Sequence, residues 1–263
     1  MDLKLKDKRA LVTGASRGLG HATARALAKE GCRVAINGRD EARIKFAAES
    51  LSRETGTQVI GLAGDVSILD IPEKLIQQTA KAFGGLDILV TNAGGPPSGS
   101  IDSLDEAAWQ KGVDLSLMSH VRLIKAALPY LRKSDSASVL TITSMSIKQP
   151  IANLLLSNSI RMATVGLTKS LALELGKDGI RFNSILPGWT ETERVTELMT
   201  ARATANNSTV EEETRKQSEQ SPLGRLGQPE EFANAAVFLV SPAASFITGV
   251  MLNVDGGMYK GTL

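Results

Sequence analysis

A glycine-rich turn near the N-terminus constrains the fold of this chain more than any other feature. The apolar segment Ala10–Thr13 leads into Gly14–Gly20 (GASRGLG), and a helical pattern begins at about His21. Glycines here permit a tight turn, close approach of the backbone to a phosphate and close packing of helix on strand. The helix N-terminus offers free N–H groups and the positive end of its dipole. The sequence therefore predicts a nucleotide-binding βα unit. The alternative, a glycine-rich turn without a ligand, is disfavoured by this strand–turn–helix context.

Short β-rich segments alternate with longer segments of helical periodicity along the chain. This alternation predicts βαβ units and a parallel sheet, and continuously apolar segments are typical of strands covered on both faces. The predicted strands are Ala10–Thr13, Arg33–Ile36, Gln58–Ala63, Ile88–Thr91, Val139–Thr143, Arg181–Leu186 and Val250–Val254, and the predicted helices include His21–Glu30, Glu41–Glu54, Pro72–Phe83 and Leu155–Gly176. We expect one domain over residues 1–263, an α/β Rossmann fold with a doubly wound, seven-stranded parallel sheet and helices on both faces.

One segment interrupts this alternation. Residues 191–220 are polar, helix-prone and rich in Thr, Glu and Arg, and they contain no strand pattern. Loops of this length in a compact domain are usually functional or disordered. Because this segment follows the carboxyl end of a strand, we expect a mobile helical lid over the ligand crevice.

Charge and composition exclude several classes of function. The net charge is +2 and aromatic residues make up 4% of the chain, so neither a basic surface nor stacking groups point to nucleic acid. No segment approaches the roughly 18 apolar residues of a membrane span, and the N-terminus lacks a signal-peptide core. The single cysteine, Cys32, excludes an intrachain disulfide, argues against a metal site, and is expected to be a buried or half-buried residue beside a strand. We expect a cytoplasmic protein that binds a small molecule and neither nucleic acid nor membrane.

Several further motifs occur in a characteristic order. They are Thr13–Gly20 after the first predicted strand, Asp65-Val66 after the third, Asn92-Ala93-Gly94 after the fourth, Pro187–Thr192 after the sixth, and Thr248-Gly249 with Asn253–Gly257 near the C-terminus. In order and spacing these motifs resemble those of the short-chain dehydrogenase/reductase family. The resemblance implies a nicotinamide cofactor and a carbonyl or alcohol substrate, as for the family's 3-oxoacyl-carrier-protein reductases. It also implies a homotetramer or a dimer.

The resemblance assigns the cofactor to the glycine turn and the ends of several strands. The expected cofactor-binding residues are Gly14, Ser16, Arg17, Gly18, Leu19, Gly20, Arg39, Asp65, Val66, Asn92, Ala93, Gly94, Arg161, Pro187, Gly188, Thr190 and Thr192. Gly38 occupies the position where an NAD-dependent enzyme has an acidic residue. A carboxylate would repel a 2′-phosphate, whereas the guanidinium groups of Arg39 and Arg17 can bind it, so we expect NADP(H). The alternative is that both arginines are solvated and Asp40 binds the ribose.

The catalytic positions of the family carry unusual residues in this chain. The resemblance implies a tetrad of Asn, Ser, Tyr and Lys with Tyr as the acid/base, and alignment places Ser116, Ser144, Ser157 and Arg161 at these positions. The Ser157 hydroxyl is a poor acid, and Arg161 cannot shuttle protons because its pKa lies above about 12. Arg161 can still hold ribose hydroxyls or an anionic substrate group.

Other acid/base residues are less suited to catalysis. The chain has two tyrosines. Tyr130 is expected to pack on the surface, and Tyr259 could enter only the site of a neighbouring subunit. His120 is expected to pack on the surface of its helix in preference to an acid/base role. Two hypotheses follow: an NADP(H)-dependent oxidoreductase in which Ser144 polarises a carbonyl, or a catalytically impaired NADP(H)-binding pseudo-enzyme or sensor.

Overall fold

All strands of the central sheet run parallel in the computed structural model, which describes residues 1–262. The strands are β1 (Arg9–Val12), β2 (Arg33–Gly38), β3 (Val59–Ala63), β4 (Ile88–Thr91), β5 (Ser138–Ile142), β6 (Arg181–Pro187) and β7 (Met251–Val254). Their order is β3-β2-β1-β4-β5-β6-β7, so the direction of winding reverses between β1 and β4. A doubly wound sheet binds its ligand at such a reversal, beyond the carboxyl ends of the strands. The predicted seven-stranded Rossmann fold is confirmed.

Helices cover both faces of this sheet. They are α1 (Gly18–Lys29), α2 (Glu41–Thr55), α3 (Ile71–Phe83), α4 (Glu106–Val113), α5 (Ser119–Leu131), α6 (Leu155–Leu175), α7 (Glu193–Asn206), α8 (Val210–Ser218) and α9 (Pro229–Val240). A π-helical segment, Asp114–Met118, joins α4 to α5. In the described part of the chain, no helix has the length and apolar character needed to cross a membrane.

Each strand contributes to two hydrophobic cores because successive side chains point to opposite faces. Ala10 and Val12 of β1 belong to the core beneath α1, α2 and α9, whereas Leu11 belongs to the core beneath α3, α5 and α6. Burial on both faces explains why the strands are continuously apolar. Cys32 is fully buried in the first core, as expected.

The polar segment 191–220 folds into α7 and α8, in agreement with its helical pattern. The Thr192 side chain caps α7 by accepting a hydrogen bond from the Val195 N–H, and α7 ends before Asn207 in the left-handed region, at φ +50°. Thr209 and Glu212 then form a capping box that starts α8. These caps define two short helices that follow the carboxyl end of β6.

Candidate active site

A cleft of about 400 Å³ lies beyond the carboxyl ends of the strands. It brings together most of the residues predicted from the sequence: Gly14, Ser16, Arg17, Gly18, Leu19, Arg39, Asp65, Val66, Asn92, Ala93, Gly94, Ser144, Ser157, Arg161, Pro187, Gly188, Thr190 and Thr192. The other two predicted residues, Gly20 and Ser116, are buried and do not line the cleft.

The glycine turn is fixed by Asn92, which follows β4. The Asn92 Nδ2 donates to the Gly14 carbonyl at 3.0 Å, and its backbone N–H donates to Thr13 Oγ1 at 2.9 Å. A Cβ added to Gly20 would lie 2.5 Å from the Gly14 oxygen. Gly20 therefore allows α1 to pack closely on the turn and shapes the cleft without lining it.

The first turn of α1 fits a phosphate group. Arg17 is the N-cap residue, and its side chain makes no capping hydrogen bond. The N–H groups of the first helical turn therefore have no intrahelical or capping partner. The backbone packs closely here, since a Cβ on Gly14 would lie 2.9 Å from the Asn92 oxygen and a Cβ on Gly20 2.5 Å from the Gly14 oxygen. Free N–H groups and a helix dipole at a close backbone approach are the features that bind a dinucleotide pyrophosphate.

The end of β2 leaves little space for an acidic side chain. A Cβ on Gly38 would lie 3.1 Å from the Ser16 Cβ and 3.2 Å from the Ile44 Cδ1. The Asp40 carboxylate caps α2 by accepting from the Arg43 N–H at 2.9 Å, so it is already engaged. Arg39 is exposed and lines the cleft. This arrangement favours a phosphate over ribose hydroxyls as the group bound beside β2.

Arg17 is engaged by α7, the first helix after β6. Its guanidinium forms ion pairs with Glu193 and with Glu197, the latter at 3.2 Å. The hydrogen bond that Arg17 donates to Glu193 is the main cause that raises the pKa of Arg17 above its ordinary value. This pairing, which brings two carboxylates of α7 to the glycine turn, could not be predicted from the sequence.

Ser144, Ser157 and Arg161 line the part of the cleft beyond β5. Ser144 Oγ accepts from the Ser146 N–H at 3.1 Å, which leaves its own proton free to donate. Ser157 and Arg161 stand four residues apart on α6 and share a face of that helix. The cleft therefore brings together the predicted serine, Ser144, with Ser157 at the position expected for tyrosine and Arg161 at the position expected for lysine.

The guanidinium of Arg161 is buried, with 8% of the residue exposed. Its Nη1 donates to the Thr143 carbonyl at 3.0 Å and, more weakly, to the Ile142 carbonyl at 3.4 Å. Its Nε has no hydrogen-bond partner among residues 1–262. Burial, reinforced by the charge of Arg194, lowers the pKa of Arg161 to about 10. Arg161 is therefore still protonated at neutral pH.

Ser116 is buried in the π-helical segment between α4 and α5. Its Oγ has no hydrogen-bond partner in the described structure, and its carbonyl accepts a hydrogen bond from the Thr164 hydroxyl. The neighbouring Leu115 lines the cleft in its place. π-Helical segments are frequent at functional sites, but here the catalytic role of Ser116 stays a prediction.

His120 lies in the interior, which corrects the expectation that it packs on the surface of its helix. It is 1% exposed, and its Nδ1 shares a hydrogen bond of 2.7 Å with the Thr91 hydroxyl at the end of β4. Burial, followed by the charge of Arg161, lowers the pKa of His120 to about 3. The imidazole is therefore neutral near pH 7, and it does not line the cleft.

Neither tyrosine lines the cleft. Tyr130 is half-buried near the end of α5. Tyr259 lies beyond β7, where its backbone N–H donates to Asp255 and its ring faces the Lys148 Nζ at 5.1 Å. Within this chain, therefore, neither phenol group lines the cleft that contains Ser144.

Sequence reasoning missed Arg194, on α7. Its guanidinium reaches over the segment that follows β4, because a Cβ on Gly95 would lie 3.5 Å from the Arg194 Nη2. Trp189 was also missed: it lines the cleft, and the Arg202 guanidinium stacks on its ring at 4.9 Å. Arginines are common in polar helices, so no sequence signal distinguished Arg194 from its neighbours.

Comparisons with known proteins agree with this geometry. Residues 14–259 match the family model described as enoyl-(acyl carrier protein) reductase. The chain is 34% identical to 3-oxoacyl-[acyl-carrier-protein] reductase FabG of Vibrio cholerae, over 98% of this chain and 99% of that protein. It is also 34% identical to dehydrogenase/reductase SDR family member 4 of Bos taurus, over 96% of this chain and 88% of that protein.

A solved structure extends the similarity to three dimensions. L-Sorbose reductase from Gluconobacter frateurii, complexed with NADPH and L-sorbose, superposes with a TM-score of 0.95 at 32% identity, covering 99% of this chain and 100% of that one. This chain therefore belongs to the short-chain dehydrogenase/reductase family. It is an oxidoreductase of the NAD(P)-dependent type that the family comprises.

Proposed function

We propose that the protein is an NADP(H)-dependent oxidoreductase that interconverts a carbonyl and an alcohol. One observation carries the proposal. Ser144, Ser157 and Arg161 line the same cleft as the uncapped N-terminus of α1. The cleft thus offers a phosphate site at β1 and hydrogen-bond donors beyond β5, as hydride transfer between a nicotinamide and a carbonyl requires.

The residues of the cleft fit NADP(H). The N–H groups at the start of α1 would hold the pyrophosphate, and Arg39 would hold the 2′-phosphate beside Gly38, which has no carboxylate to repel it. Asp65 and Val66 would contact the adenine. Pro187, Gly188, Thr190 and Thr192 would contact the nicotinamide end, with Ala93 and Gly94 beneath. When bound, the reduced nicotinamide supplies a hydride.

Ser144 would act on the carbonyl oxygen, and Arg161 would anchor the ribose or the substrate. The Ser144 hydroxyl donates a hydrogen bond that polarises the carbonyl, and the charged fork of Arg161 holds ribose hydroxyls or an anionic group of the substrate. With a pKa of about 10, Arg161 holds its proton at neutral pH, so the oxygen takes its proton from water. Losing a positioned acid costs about 10²–10⁴-fold in rate. We therefore propose a slow reductase in which Ser157 and Arg161 stand where the family has Tyr and Lys.

We also propose that α7 and α8 form a lid over the cleft. α7 contributes Arg194, Val195 and Leu198 to the cleft wall. A small cluster that includes Trp189 and Met199 anchors it to the body of the protein. Few buried contacts permit local opening. Hydrogen exchange should show the lid backbone protected by NADPH; full protection without the cofactor would show a fixed element instead.

An assembly into a tetramer or dimer is proposed as well. β7 is an edge strand with Met251 and Leu252 exposed, and Phe246 is fully exposed nearby. Exposed edge strands and apolar side chains are typical of interfaces. Light scattering after size exclusion would detect the assembly, and a monomer would contradict it.

The function is tested by binding followed by turnover. NADPH and NADH are titrated by fluorescence, and NADPH oxidation is then measured across a panel of ketones, aldehydes and oxo acids. NADPH binding at least about tenfold tighter than NADH, with oxidation of one class of carbonyl, supports the proposal. Tight binding without turnover across the panel would indicate a sensor. Absence of NADPH binding would overturn both the oxidoreductase and the sensor hypotheses.

A further inference from the structure

At the end of the cleft beyond β5, Arg161 has no carboxylate partner in the described chain, whereas the neighbouring Arg194 pairs with Glu197 at 3.6 Å. Both arginines line the cleft, and they are close enough for the charge of Arg194 to lower the pKa of Arg161. The acidic residues that line the cleft are Asp65 and Glu193. Asp65 follows β3 at the opposite edge, and Glu193 is paired with Arg17. Neither is available to neutralise Arg161.

A buried guanidinium without a counter-ion is costly. Removing a charge from water is strongly unfavourable unless a partner of opposite charge and full hydrogen bonding compensate. Main-chain carbonyls of Ile142 and Thr143 take only the Nη1 protons of Arg161, and its Nε has no partner in the described chain. The site is therefore incomplete without a ligand that brings negative charge and at least one acceptor oxygen. A carboxylate has both, in the geometry that guanidinium groups bind best.

We propose that the substrate carries a carboxylate, which Arg161 binds and Arg194 helps to hold. The substrate class is a short 2- or 3-oxo acid, or the corresponding hydroxy acid. This inference rests on the proposed function and specifies its substrate.

Arg161 and Ser144 lie close together in the cleft. Arg161 donates to the carbonyl of Thr143, the residue directly before Ser144, and both Arg161 and Ser144 line the cleft. A short oxo acid could therefore place its carboxylate on Arg161 and its carbonyl beside the Ser144 hydroxyl. The cleft wall next to these groups is apolar, with Ile151, Leu154 and Leu198. It would accept a hydrocarbon tail.

The substrate carboxylate takes no part in the chemistry and stays bound to Arg161 throughout the reaction. In the direction of reduction, bound NADPH would supply a hydride to the carbonyl carbon, the carbonyl π pair would move to oxygen, and that oxygen would take a proton from water. The products would be NADP⁺, the hydroxy acid and a hydroxide ion. Ribose hydroxyls are the other ligand for Arg161, but they are neutral and would leave its charge unpaired.

The experiment compares isosteric ligands that differ in charge. Binding of 2-oxohexanoate, 3-oxohexanoate and their primary amides is measured by calorimetry, with and without NADP⁺. Variants Arg161→Gln, Arg161→Lys and Arg194→Gln are compared with Arg215→Gln, which removes an exposed arginine of α8 outside the cleft. We expect an acid to bind at least about tenfold more tightly than its amide, as one charge-assisted pair provides.

The variants identify the residue responsible. Arg161→Gln should abolish the difference between acid and amide, Arg161→Lys should retain part of it, Arg194→Gln should reduce it, and Arg215→Gln should leave it unchanged. If Arg161→Gln unfolds, the inference is tested by the Arg194→Gln variant and by the acid-to-amide affinity ratio of the unaltered protein.

Equal affinity for acid and amide would overturn the inference. So would an Arg161→Gln variant that weakens NADPH binding while keeping the acid-to-amide ratio, because Arg161 would then serve the ribose. In both cases NADPH binding and reduction of neutral ketones would leave the proposed function intact. Conversely, oxo-acid binding without any NADPH binding would support the proposed carboxylate site and contradict the proposed function.

Discussion

Arg17 of the glycine turn forms an ion pair with Glu193, the first residue of α7. The pair joins the phosphate-binding turn to the proposed lid. A 2′-phosphate or pyrophosphate would compete with Glu193 for the guanidinium, and the carboxylate itself would repel a bound phosphate. The pair therefore opposes cofactor binding while it holds α7 over the cleft.

Glu193→Gln should consequently tighten NADPH binding. An exposed ion pair contributes up to about 1 kcal/mol, which corresponds to an affinity gain of about threefold to fivefold. Glu211→Gln is the matched control, because Glu211 is exposed on α8 and does not line the cleft. Fluorescence titration at low salt measures both. Unchanged or weaker NADPH binding in Glu193→Gln would show that the pair does not oppose the cofactor.

Arg39→Ala should weaken NADPH binding about tenfold and leave NADH binding unchanged, because a charge-assisted contact to the 2′-phosphate is lost. Arg53→Ala, which removes an exposed arginine of α2 outside the cleft, serves as the control. An equal loss for both cofactors would mean that Arg39 does not recognise the 2′-phosphate.

The sheet could be predicted because its signals are local. Each strand is a short, continuously apolar segment, and each is bounded by turn residues or a helical pattern. The glycine turn was readable for the same reason, since Gly14 and Gly20 are required by sterics within one βα unit. The boundary of α1 was placed too late: the helix begins at Gly18 because the last glycines of the turn already form its first helical turn.

The electrostatics of the cleft could not be predicted, because they depend on contacts between distant segments. Arg17 and Glu193 are 176 positions apart. Arg194 reaches Gly95 from α7, across the cleft. His120 shows the same limit: its position on α5 was evident, but its burial against Thr91 depends on how that helix packs on β4. The π-helical geometry at Ser116 has no sequence signature.

His120 should make stability sensitive to mild acid. Its pKa is about 3 in the folded protein and 6.5 when unperturbed. Below pH 6.5 the unfolded chain binds a proton that the folded protein excludes, so stability falls as the pH decreases. The loss attributable to His120 is about 2 kcal/mol at pH 5 relative to pH 7.5.

His120→Asn tests this directly, because an amide can replace Nδ1 in the hydrogen bond to Thr91 without titrating. Urea unfolding of both proteins at pH 7.5 and pH 5 gives the free-energy difference at each pH. That difference should shift in favour of the variant by about 2 kcal/mol on acidification. His21, whose pKa is also lowered by burial, is present in both proteins and cancels. A pH-independent difference would show that His120 is not held neutral.

Restoring the family's acid/base pair should raise the rate of carbonyl reduction. Ser157 and Arg161 share a face of α6 and line the cleft with Ser144. In a Ser157→Tyr/Arg161→Lys variant, the lysine charge would lower the pKa of the phenol, and the phenol could donate its proton to the carbonyl oxygen. A positioned acid typically contributes about 10²–10⁴-fold, so activity on neutral ketones should rise within that range. Ser116→Asn is tested in a separate triple variant. Ser116 is buried, so the larger side chain could disturb the packing.

The matched control is Ser157→Phe/Arg161→Lys, which has the bulk of the phenol and the lysine charge but no hydroxyl. Circular dichroism and NADPH titration first establish that each variant folds and binds the cofactor. NADPH oxidation with a neutral ketone then separates chemistry from packing: the tyrosine variant should gain activity with a new dependence on the phenol pKa, and the phenylalanine variant should not. A folded, NADPH-binding tyrosine variant that is no faster than its phenylalanine counterpart would show that residue 157 does not reach the reacting oxygen.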